Sequence, residues 1–101
     1  MTPKLGTRAF LRFDSASRGR VLEPGIVEEV ADDSWTLAFE NRHHAVETGE
    51  ERLFYYSRLR HFYRQAVRIG SQSTDGPPFR LTLTPLGVAL RRIVERRGIP
   101  A

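Results

Sequence analysis

Arginine carries most of the chemistry this sequence offers. Fifteen of its sixteen basic side chains are arginine, and Lys4 is the sole lysine. A planar guanidinium recognises phosphate or carboxylate through two parallel hydrogen bonds. Arg8 with Arg12 shares its four-residue spacing with Arg92 and Arg96, the latter pair next to Arg91. On a strand or a helix that spacing keeps both guanidiniums on one face, so each pair is a candidate anion clamp. The plainer reading is a solvated arginine-rich surface, set by codon usage rather than by a ligand.

Other chemistries find less support. The chain has no cysteine, which removes disulfides and thiolate metal sites. Its histidines are His43, His44 and His61. Adjacent histidines on an extended chain point to opposite faces, and no carboxylate spacing completes a metal site around them. Ser34 lacks the surroundings of a nucleophile elbow, and a serine in a turn ordinarily bonds its own backbone. Neither a P-loop nor a dinucleotide fingerprint is present. The expectation is a non-enzymatic chain with no metal and no cofactor.

The elements that would position the arginines read mainly as strands. In Gly25 to Glu40, Ile26 and Val30 precede an Asp32-Asp33-Ser34 turn, and Trp35, Leu37 and Phe39 follow it. Period-two alternation across such a turn signals a hairpin. Gly6 to Phe13 reads as a first strand, with Thr7, Ala9, Leu11 and Phe13 on one face and Arg8, Phe10 and Arg12 on the other. Arg20 to Ala31 is a second, bent at Pro24-Gly25. Arg52 to Ser57, His61 to Ile69 and Phe79 to Leu83 supply three more. At Thr84 the period changes. Thr84 suits a helix N-cap and Pro85 the first helical position, with Leu86, Leu90, Ile93 and Val94 on one face and Gly98 and Pro100 as stop signals. These readings predict one domain over residues 1–101: a mainly β, small six-stranded antiparallel barrel at about 6–84 and one C-terminal helix at about 85–97. The outer helix face would carry Arg91, Arg92 and Arg96.

In strand order, in the Asp32-Asp33-Ser34 hairpin, in the aromatic strand after Gly49 and in a helix expected after Phe79 to Leu83, the chain resembles the PilZ family of split barrels. It is also similar to the N-terminal barrel of YcgR-like flagellar-brake proteins, in which an aromatic strand like LFYY recurs. The family implies bacterial cyclic di-GMP signalling. Family members clamp the ligand with Arg-x-x-x-Arg and complete the pocket with Asp/Asn-x-Ser-x-x-Gly. Arg8 and Arg12 match the first motif by spacing, and Asp32 and Ser34 match the second. Leu37 stands where the glycine belongs, and Arg8 and Arg12 lie inside a strand rather than ahead of it.

Net charge is +4, but it is unevenly placed. Nine acidic residues lie between Val21 and Glu51 with only Arg42 among them, and Arg52, Arg58, Arg60, Arg64 and Arg68 follow. No run is apolar enough to span a bilayer, and the N-terminus lacks a secretion signal, so a cytoplasmic location is expected. Three functions compete. The favoured one is a PilZ-like regulatory module that binds a protein partner, with cyclic di-GMP binding weak or lost, and a true cyclic di-GMP receptor is its variant. A nucleic-acid-binding module of SH3-like or Tudor-like type is the second, opposed by the acidic block around Glu28, Glu29, Asp32 and Asp33. A flavin-reductase-like split barrel is the third. Trp35, Phe54, Tyr55, Tyr56, Phe62 and Tyr63 supply aromatic surface for an interface.

Overall fold

The computed structural model describes residues 1–15, 19–40, 46–73 and 75–92. Six strands follow in chain order: β1 (Arg8–Ser15), β2 (Gly19–Val30), β3 (Trp35–Phe39), β4 (Glu51–Arg58), β5 (His61–Gln72) and β6 (Phe79–Arg92). They pair antiparallel and close into a barrel in the order β1-β2-β3-β6-β5-β4. The chain thus makes two three-stranded meanders, β1 to β3 and β4 to β6, joined along two seams. The β3–β6 seam runs from Trp35↔Leu83 to Phe39↔Phe79. The β1–β4 seam is shorter, with Ala9↔Tyr56, Phe10↔Tyr55 and Leu11↔Phe54 in register.

Alternation along the strands fills the interior. Ala9, Leu11 and Phe13 from β1 meet Trp35, Leu37 and Phe39 from β3, Phe54 and Tyr56 from β4, and Val67, Ile69, Leu81 and Leu83 from β5 and β6. Each Val, Leu, Ile or Phe side chain among them contributes roughly 1.5–3 kcal/mol by leaving water. Aromatic rings hold the centre. Trp35 lies 5.6 Å from Phe54 and 5.9 Å from Tyr56, and Tyr56 stacks on Tyr63 at 5.5 Å. Much of the aromatic surface expected at an interface is therefore core, while Phe62 remains 55% exposed.

Two expectations are corrected here. Ile26 faces outward, 42% exposed, and Val27 is buried in its place. A register shift between Val27 and Glu29 places Val27 opposite Leu37 and Val30 opposite Trp35, so inward residues three apart share a face only through that bulge. The larger correction concerns the C-terminal helix expected at 85–97. Residues 85–92 continue β6 as strand, paired along β5 from Arg68↔Thr84 to Phe62↔Arg92. The long β5 carries backbone groups that need partners, and this segment supplies them. Gly87 adopts φ 67, outside the helical region, and Pro85 is tolerated in a strand beside a bulge. Leu90 is 55% exposed, so Leu86 and Leu90 form no helix face on the barrel. Residues 93–97, with Ile93, Val94 and Arg96, lie outside the described residues. Among those described, no helix is long and apolar enough to cross a membrane.

Candidate functional site

β1 sends Ala9, Leu11 and Phe13 inward and Arg8, Phe10 and Arg12 outward, as its pattern dictates. The two arginines nonetheless meet different surroundings. Arg8 lines a groove of about 490 Å³ with Glu23, Glu28 and Glu40, beside Pro24 and Ile26. Three carboxylates there oppose a phosphate, and Glu28 is already engaged by Arg80, whose Nε lies 3.0 and 3.1 Å from its two oxygens.

Arg12 lies beyond the last β1–β4 pair and opens onto a cavity of about 280 Å³ with Arg20, Tyr55, Arg64, Leu90 and Arg91. Its other neighbourhood is a groove with Asp14, Glu51 and Arg52. The Arg12 Nε is 3.5 Å from Asp14 Oδ1, is shielded from solvent and makes no hydrogen bond.

Asp32 and Ser34 sit in the β2–β3 turn, where the Ala31 N–H donates to the Ser34 carbonyl at 2.8 Å. Among the described residues, neither lines the Arg8 groove or the two spaces beside Arg12. Leu37, at the position of the family glycine, is fully buried and points into the core. The four residues suggested by the family motifs are therefore not gathered into one site. Of the second arginine group, Arg91 reaches the cavity with Arg12, Arg92 ends β6, and Arg96 lies outside the described residues.

Sequence reasoning missed Arg20 and Arg64 as site residues and marked Tyr55 only as aromatic surface. Alternation in HFYRQAVRI does place Arg64 on an outward face. What the sequence hides is the row Phe10↔Tyr55↔Arg64↔Leu90, which crosses β1, β4, β5 and β6 and exists only once the strands are in register.

Among the described residues, no three His, Asp or Glu side chains gather as a metal site. A strongly shifted titratable group lies in the core. Burial pushes the Tyr56 phenol up to about 12, with Tyr63 adding to the rise and Arg58 opposing it, and its hydroxyl donates to the Met1 carbonyl at 3.3 Å. No protein-family model matches this chain, and no curated protein or solved structure matches it either.

Proposed function

We propose that the chain is a non-enzymatic, PilZ-like regulatory barrel that acts by binding a partner protein, with its affinity for cyclic di-GMP weak or lost. The observation that carries this reading is the separation of the motif residues. Arg8 stands among glutamates, Arg12 faces a different cavity, and Asp32 and Ser34 are in neither. Fixed on a strand, the arginine pair cannot wrap a ligand as a flexible segment does. Exposed apolar side chains on the outer faces of the strands, Leu22, Ile26, Phe62 and Leu90, support a docking role.

Calorimetric titration with cyclic di-GMP tests the proposal, and no micromolar binding is expected. Affinity in the micromolar range or tighter, abolished by Arg12→Ala, would overturn it and make the chain a nucleotide receptor.

A further inference from the structure

We propose that the cavity lined by Arg12, Arg20, Arg64 and Arg91 binds a phosphate group carried on a small molecule, an oligophosphate or phosphate ester, across the β1–β4 seam. The site goes beyond the regulatory reading and does not depend on it.

Charge balance is the first reason. Three arginines elsewhere on the barrel have acidic partners: Arg52 pairs with Glu50, Arg68 with Glu51 at 3.7 Å, and Arg80 with Glu28 at 3.0 Å. Arg8 stands among glutamates. Among the described residues no carboxylate lines the Arg12 cavity, and Arg20, Arg64 and Arg91 make no ion pair there. Asp14 lies 3.5 Å from Arg12 and opposite Arg20 in register, with its own side chain 75% exposed, so a single solvated carboxylate neighbours the four arginines. Four guanidiniums held on one concave surface repel one another, and a multiply charged anion removes that repulsion.

Hydrogen bonding is the second. The Arg12 Nε–H is withdrawn from water and makes no hydrogen bond, Asp14 Oδ1 standing 3.5 Å away, so this guanidinium is not committed to its acidic neighbour and its hydrogen-bonding capacity is left to an acceptor that binds beside it. Tetrahedral phosphate presents oxygens in several directions and suits convergent arginine forks better than a single planar carboxylate does. Tyr55 and Leu90 offer a ring and an apolar side chain for whatever carries the phosphate.

Placement is the third. Arg12 and Arg20 belong to the first meander, on β1 and β2, whereas Arg64 and Arg91 belong to the second, on β5 and β6. Tyr55 lies on β4, at the seam itself. An anion held by all four arginines ties the two meanders together beside the shorter seam. It binds only the closed barrel, and so raises the melting temperature by mass action.

The test uses the full chain at constant ionic strength, with inorganic tripolyphosphate and a nucleoside triphosphate as separate probes, read by calorimetry and by thermal melting. One-to-one binding with a raised melting temperature is expected. Arg20→Ala and Arg64→Ala should each weaken it about tenfold or more, while Arg80→Ala, on the Glu28 side, leaves it unchanged. Arg12 belongs to both the cyclic di-GMP motif and this cavity, whereas Arg20 and Arg64 lie outside the motif, so weakening by Arg20→Ala and Arg64→Ala is what marks this site. Tighter binding of the nucleotide would identify a nucleotide-type ligand, and equal or tighter binding of tripolyphosphate a bare oligophosphate. Either upholds the site. Absence of binding by both probes, or equal weakening by Arg80→Ala, overturns it, the latter by showing diffuse attraction to a basic surface.

Discussion

Gln65 is a polar side chain enclosed in the barrel, only 2% exposed. Its Nε2 donates to the Leu86 carbonyl at 2.6 Å and lies 3.2 Å from the Ala66 carbonyl and 3.4 Å from that of Gly87. These contacts sit where pairing jumps from Arg64↔Leu90 to Ala66↔Leu86, so that Gly87 to Ala89 stand opposite Gln65 alone. The amide thus occupies the place of missing ladder bonds. Replacing it by leucine keeps the volume but leaves the Leu86 carbonyl without its donor, a cost of about 1–3 kcal/mol. In a domain of this size 1 kcal/mol moves the melting point by about 4–8 °C. Gln65→Leu should therefore lower it by roughly 8–16 °C for a mid-range loss, with a matching shift in the urea midpoint. Gly87→Ala supplies the control. Its φ of 67 strains any other residue although the space around it is open, at about 1–2 kcal/mol. If Gln65 holds the bulge in shape, the double variant costs less than the sum of the two. An unchanged melting point for Gln65→Leu would refute the reasoning, since water would then be satisfying those carbonyls.

Leu37→Ala should cost about 2–5 kcal/mol in chemical denaturation, because Leu37 is fully buried between β2 and β6. Phe62→Ser, at a side chain 55% exposed, should leave the melting curve in place; a large drop would make Phe62 structural and weaken the case for an interface there. Tyr56 should resist ionisation in a spectrophotometric alkaline titration until pH about 12. Its folded pKa lies above the ordinary value of 10.0, so its contribution to stability is complete below pH 10.0 and is lost as pH rises from there through about 12. The cyclic di-GMP titration, expected to show no micromolar binding, completes the set.

The hairpin around Asp32-Asp33-Ser34 and the two faces of β1 were legible because a single strand reveals its own alternation. Ile26 was misplaced because a bulge changes phase without leaving a mark in the residue types. The segment after Thr84 was misread as helix for a related reason. A threonine, a proline and leucines four apart satisfy local helix rules, but the decision belonged to the unpaired edge of β5, which is distant in sequence. Arginines on β2 and β5 meeting across two other strands follow from register alone, so spacing within one element drew attention to Arg8 and Arg12 while Arg20 and Arg64 passed unnoticed.

The arrangement as two meanders bears on how the chain reaches its native state. Pairing within each meander is local, hairpin by hairpin, whereas the seams join Ala9 to Tyr56 and Trp35 to Leu83. Closing them carries the loop-closure entropy of the whole fold, so closure and not hairpin formation sets the folding rate. Until it occurs, β1 and β3 on one half and β4 and β6 on the other present bare edges. A neighbouring molecule offers halves with the same complementary edges, so exchange of meanders between chains is the misassembly expected of this topology when refolding is crowded, and size-exclusion chromatography after refolding at high concentration checks it.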